Sequence, residues 1–165
     1  GQAEETGLSS ECADVVYGEA MLTMQRTTHK KAIMEEAHRL LRPGGRYGIH
    51  ELCLVPDDID PRLNSEIAQA LSETIHVGAR PLTVSAWTSM LEEAGVVAEV
   101  TTTAPMHLLR LSRLIEDEGL KGTARIVWNM LRDGVARRRV LAMRRVFQRY
   151  EAHLGAVAIV AKKPT

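Results

Sequence analysis

The stretch Leu41-Arg42-Pro43-Gly44-Gly45-Arg46 limits the possible folds of this chain more than any other. Before it, residues 28–41 place Ile33, Ala37, Leu40 and Leu41 at i, i+4, i+7 and i+8, the single apolar stripe of an amphipathic helix. Lys30, Lys31, Glu35, Glu36 and Arg39 are expected on its solvated side, with Thr27 or Thr28 capping its start. Pro43 disfavours helical geometry at Arg42, and Gly44-Gly45 permits the positive φ of a sharp exit. A β-rich run over residues 46–55 follows at once. Upstream, residues 13–17 (Ala-Asp-Val-Val-Tyr) form a short β-branched run between a polar loop and Gly18, which reads as a buried strand. Strand, helix, tight turn, strand is a βαβ unit, so these two strands should be parallel and joined by a right-handed crossover.

The remaining pattern extends an α/β order. Residues 61–77 carry Leu63, Ile67, Leu71 and Ile75 at i+4 steps, and residues 83–94 carry Trp87, Met90 and Leu91 before Gly95, so both read as helices. A strand is expected over 96–103. Helical pattern then runs from 108 to 153, broken near Gly119 to Gly122 and at Gly134, and a last strand spans 156–162. The order is β-α-β-α-α-β-α(long)-β without internal repeats.

Composition excludes several classes. Cys12 and Cys53 are too few for a disulfide framework and neither belongs to a CxxC metal spacing, so a reducing cytoplasm is the expected compartment. The longest apolar runs, such as residues 156–161, are far short of a membrane span, and no membrane partner is expected. The formal net charge is zero, giving the whole chain no field for nucleic acid or an anionic membrane. The charge is unevenly placed, however: from Lys121 to Arg149 there are nine basic residues and one acid, Asp133. Val135, Met143, Val146, Phe147 and Tyr150 can share an apolar side there while arginines cover the remainder, which a solvated amphipathic helix also shows. Nucleic-acid binding is the weaker reading, because stacking aromatics are scarce.

Several pieces together carry a resemblance. Gly1-Gln2-Ala3-Glu4-Glu5 with Gly7-Leu8, then Ala13-Asp14-Val15-Val16, then Leu41-Arg42-Pro43-Gly44-Gly45-Arg46, and finally Leu91-Glu92-Glu93-Ala94-Gly95-Val96 occur in this order. They resemble the second half of class I S-adenosylmethionine-dependent methyltransferases of the ubiquinone/menaquinone-methylase-like type (type 11). The resemblance covers residues 1 to about 104 and, beyond that, only the last strand. It implies the C-terminal part of a Rossmann-like methyltransferase sheet, mostly parallel with its last strand antiparallel, and a long helical insertion before that strand. The domain reading is 1–104 for the C-terminal half of the Rossmann-like domain, 105–154 for a helical insertion or lid, and 155–165 for the final strand. The family's Gly-rich cofactor turn has no counterpart here, so the chain is expected to represent the C-terminal portion of its enzyme, with the edge of the 13–17 strand covered by a second copy or a partner.

The resemblance also implies roles. Gln2 and Ala3 fall in the loop that contacts the adenine of S-adenosylmethionine, although the family usually has Asp where Gln2 stands. Gly18 and Glu19 follow the first strand, where backbone approaches the methionine part of the cofactor. Met21 is a candidate for the acceptor wall, with core packing the competing reading for Met21, Leu22 and Met24. His76, Arg80 and Trp87 lie in the segment that shapes the acceptor pocket in the family.

The residues themselves add one argument. His50 and Glu51 are ionisable groups within an otherwise apolar strand, a costly arrangement unless they are paired or functional. Ligands of open α/β sheets sit beyond the carboxyl ends of the strands, which makes His50 and Glu51 the catalytic candidates; a hydrogen-bonded structural histidine is the alternative for His50. His-Glu-Leu-Cys-Leu lacks the second His of the zinc motif HExxH, and a strand does not present i and i+4 as a helix does, so no metal is expected. The expected function is S-adenosylmethionine-dependent methyl transfer to a small molecule by a homodimer. The alternative is a non-catalytic half-domain serving dimerisation or regulation.

Overall fold

The computed structural model describes residues 1–106 and 111–165. In chain order it forms β1 (Ala13–Glu19), α1 (Thr27–Leu40), β2 (Leu41–Leu54), α2 (Pro61–Ile75), β3 (Leu82–Thr83), α3 (Val84–Glu93), β4 (Val97–Pro105), α4 (Leu111–Arg132), α5 (Gly134–Arg149) and β5 (Leu154–Lys162).

The Pro-Gly-Gly turn joins α1 to β2 without a loop. Leu41 is already extended, and Gly44 takes φ +79°. Gly45 is required for another reason: a Cβ there would stand 2.9 Å from the Arg42 carbonyl oxygen and 3.1 Å from that of Asp14. The close approach lets β2 pair with β1 immediately, Val15 opposite Arg46 and Glu19 opposite His50, in parallel. The sheet order is β1-β2-β5-β4, with β3 also pairing β2. β5 runs antiparallel to both its neighbours, so the sheet is mixed as the resemblance implies.

Alternation along β2 decides what each face does. Tyr47, Ile49 and Cys53 point inward with Val157, Ile159 and Ala161 of β5, and α1 (Ile33, Met34, Ala37) and α3 (Trp87, Leu91) close over them. The opposite face carries Val15, Tyr17, Glu19, His50 and Ala158, all exposed. A second cluster, Leu54, Ile67, Leu71, Ala79, Tyr150 and Leu154, seats α2 and the end of α5 beside the sheet.

Several expectations need correction. Neither Thr27 nor Thr28 caps α1: the N-cap is Arg26, without a side-chain cap bond. Lys30 and Glu36 are 1% and 8% exposed rather than on the solvated side. Met24 is exposed and Val135 lies on the outside of α5. β3 was not foreseen, because a two-residue strand has no period to read. The long helical segment does break where expected, at Gly119 (φ +68°) within α4 and again before Gly134, where α5 begins; its expected start at 108 lies outside the described residues. α2 stops at Ile75 because His76 adopts left-handed geometry, φ +61°. Among the described residues no helix is long and apolar enough to cross a membrane.

Candidate active site

The chain leaving β1 folds back over the carboxyl end of β2, and one buried carboxylate holds it there. Ala20 turns with φ +51° and its N–H donates to the His50 carbonyl oxygen at 2.8 Å. Glu51 Oε1 then accepts from the Met21 and Leu22 amides at 2.9 and 2.7 Å. Its Oε2 accepts from the Thr23 amide at 3.0 Å and the Thr23 hydroxyl at 2.7 Å. At 3% exposure and with four donors on its two oxygens, Glu51 is saturated and has little capacity left for a substrate proton.

Lys30 of α1 lies beside it. The ammonium donates to the Arg80 carbonyl oxygen and sits 4.6 Å from the centre of the Trp87 ring. Burial pushes its pKa down to about 8, against the opposing pull of Glu51. The Arg80 amide donates to Thr23 O at 2.8 Å, and Trp87 Nε1 donates to Leu52 O at 3.0 Å. One polar node therefore ties the post-β1 loop, α1, the α2–β3 linker, α3 and β2 together. Trp87 is fully buried in this node and presents no surface to an acceptor, contrary to expectation. Arg80 contributes its backbone, while its side chain is exposed; His76 ends α2 at the start of the same linker.

On the open face of the sheet a different group forms. Tyr17 donates from its hydroxyl to Glu19 Oε2 at 3.0 Å, and His50 Nδ1 lies 3.4 Å from Glu19 Oε1. The bond to Glu19 raises the Tyr17 pKa. Parallel register puts His50 directly opposite Glu19, the last residue of β1, an arrangement that orients one imidazole nitrogen on a carboxylate in a side chain that is 47% exposed.

The N-terminal loop is fastened to α1 by Glu36. It accepts from the Thr6 amide at 3.0 Å, the Thr6 hydroxyl at 2.6 Å, and Arg39 Nε at 2.7 Å. Arg39, then Thr6, holds the Glu36 carboxyl down at about 2. Beneath this loop lies a cavity of about 130 Å³ whose lining includes Ala3, Val16, Gly18, Met21, Ile33 and Tyr47. Gly18 is buried, and a Cβ there would meet Met21 Sδ at 3.1 Å. Three expected residues, Ala3, Gly18 and Met21, thus share one cavity, while Glu19 and His50 meet across the strand end. Gln2 is exposed, its carbonyl taking the Glu5 amide in a tight turn.

Tyr17, Thr23, Lys30, Glu36 and Arg39 are missed by sequence reasoning. Lys30 and Glu36 leave a signal: each stands three residues from Ile33 and shares that helix face.

No family model matches the chain. An uncharacterized protein of Haemophilus influenzae is 31% identical over 153 residues, covering 93% of this chain and 59% of that protein. Haemonchus contortus phosphoethanolamine N-methyltransferase 2, solved with phosphomonomethylethanolamine and S-adenosylhomocysteine, superimposes with a TM-score of 0.66 over 99% of this chain and 36% of its own, at 14% identity. Geranyl diphosphate methyltransferase in complex with SAM gives a TM-score of 0.61 over 98% of this chain and 55% of its own, at 13% identity. The fold is that of class I methyltransferases. The [4+2]-cyclase SpnF matches as well, with a TM-score of 0.65 over 99% of this chain and 54% of its own, at 17% identity, so the fold and the chemistry are separable. The chain spans 59% of the length of its curated relative.

Proposed function

We propose that this chain forms the acceptor side of an S-adenosylmethionine-dependent methyltransferase acting on a small molecule, and that it is the C-terminal portion of that enzyme. The observation that carries the reading is the Glu19–His50 pair, Glu19 closing β1 and His50 set opposite it toward the carboxyl end of β2, together with the cavity under the N-terminal loop lined by Ala3, Gly18 and Met21, in a class I methyltransferase fold. Ligands of open α/β sheets bind at those strand ends.

The residues present suit such a cofactor in part: Gly18 leaves its backbone bare where a side chain would displace Met21, and the Ala3 loop is fixed through Thr6 and Glu36. When bound, the cofactor supplies an electrophilic methyl group on a sulfonium. The chain's own task is positioning and, for an O–H or N–H acceptor, proton uptake. Glu19 orients His50 through Nδ1, and His50 takes the acceptor's proton at Nε2. Glu51 touches neither reactant; it fixes the Met21–Thr23 amides that wall the site. Arg80 and His76 border the acceptor, and the helices from α4 to α5 act as a lid.

Calorimetric titration of the full-length protein with S-adenosylhomocysteine tests the reading. Micromolar binding is expected, with none to the 165-residue chain alone; no binding to the full-length protein would overturn it. The competing reading, a non-catalytic half-domain for dimerisation or regulation, rests on β1, which ends the sheet with Val15 and Tyr17 66% and 62% exposed.

A further inference from the structure

The neutral chain concentrates its positive charge on one excursion. α5 is fastened to the body at its end, where Val146 and Phe147 pack on the second core cluster and Tyr150 is 4% exposed. Its outer face carries Arg137, Arg138, Arg144 and Arg145, all exposed; Arg138 acts on the Asp133 carboxylate through space, and none of the four makes a side-chain salt bridge to another described residue within 4 Å. Arg149 does pair, with Glu66 at 2.8 Å, and Asp133 is occupied in capping α5.

α4 repeats the theme differently. Lys121, Arg125, Trp128 and Arg132 recur at i, i+4, i+7 and i+11, one helix face, and all four are exposed. Trp128 is 60% and Leu120 74% exposed. On α5, Leu141 is 38% exposed among the arginines. A solvated helix face has no use for an indole and aliphatic side chains set between cations. Exposed apolar groups interleaved with basic ones mark a surface that meets something both anionic and apolar.

We infer that the α4–α5 excursion docks on an anionic lipid surface, its arginines against headgroup phosphates and Trp128 and Leu120 at the boundary with the acyl chains. Two observations favour lipid over nucleic acid. Only one aromatic stands in the basic stripe, where a single strand would want successive stacking platforms. Leu120 and Leu141 gain nothing from a phosphate backbone but are buried at a lipid interface. Whole-chain neutrality does not oppose this, because screening confines the effect of the remaining charge to about a Debye length, ~8 Å at physiological salt. The inference does not depend on the proposed methyl transfer.

The test uses the full-length protein and sedimentation with vesicles of phosphatidylcholine alone or mixed with phosphatidylglycerol. Of the two tryptophans here Trp87 is fully buried, so the part of an emission change that Trp128→Phe abolishes reports Trp128. Expected are binding only to the anionic vesicles, a blue shift of the emission, and release as salt rises. The double substitution Arg138→Glu/Arg145→Glu, on exposed positions that leave the fold intact by circular dichroism, should weaken binding at least about a hundredfold. Absent binding, binding unchanged by the double substitution, binding without the emission shift, or tighter binding to single-stranded RNA than to the vesicles would each overturn it.

Discussion

Glu51 takes two hydrogen bonds from Thr23 on one oxygen, the amide at 3.0 Å and the hydroxyl at 2.7 Å, while its other oxygen takes the amides of Met21 and Leu22. A carboxylate accepts without donating, which is what a loop of three consecutive inward-facing N–H groups requires. The loop's path is therefore set by β2 rather than by its own sequence.

Replacing Glu51 by Gln puts an amide N–H₂ against at least one pair of donors. The loss should be about 2–4 kcal/mol in denaturant unfolding, since buried donors are left unpaired. Thr23→Val, which keeps the backbone bond, should cost only about 1 kcal/mol. Equal stability of Glu51→Gln and wild type would mean that the loop is held by something else.

Lys30 makes stability depend on alkaline pH. Its folded pKa is near 8 and its ordinary value is 10.5, so between those limits the unfolded chain binds more protons. The contribution of this group to stability then rises with pH from 8 to 10.5 and is constant below 8. The stability of wild type minus that of Lys30→Met, measured by urea unfolding across this window, should increase with pH. A flat difference would place the ammonium in water.

Glu36 acts at the other end of the scale, again with stability rising as pH rises, here because a favourable charge is gained rather than an unfavourable one lost. Its folded pKa of about 2 lies below the ordinary 4.5, so its stabilisation is complete above about 4.5 and is lost as pH falls toward 2. Glu36→Gln should flatten acid unfolding in that interval and loosen the N-terminal loop, which amide exchange at Thr6 would register.

The Tyr17 phenol is raised because it donates to Glu19. Glu19→Gln should let it ionise closer to 10, read from phenolate absorbance, with Tyr47 still held high by burial. On the proposed methyl transfer, the same substitution in the full-length protein, and His50→Ala, should lower kcat about 10²–10⁴-fold for an acceptor that must lose a proton. Both side chains are substantially exposed, so folding should be little affected.

Gly44 and Gly45 should respond unequally to alanine. At Gly44 only the positive φ is strained, the nearest atom to a new Cβ being 3.8 Å away, for a cost of about 1 kcal/mol. At Gly45 two backbone oxygens stand within 3.1 Å, so β1 and β2 must separate, at about 2–3 kcal/mol. Thermal melts of the two variants would rank them, and the reverse order would contradict the turn geometry.

By itself the sequence determined the parallel βαβ unit, because helical period, Pro-Gly-Gly and β-branched run are local signals that agree. It also placed Glu19 and His50 near strand ends. What it could not decide is which ionisable residues go inside. Lys30 and Glu36 are ordinary polar residues until Arg80 and Arg39 supply their partners, and Glu51, conspicuous in its apolar strand, reads as catalytic until Thr23 and its neighbours are seen to saturate it. Burying a charge is tolerated only when a tertiary partner completes it, and such partners have no period along the chain. The division between a saturated Glu51 and an open Glu19–His50 pair was therefore left to the packed structure.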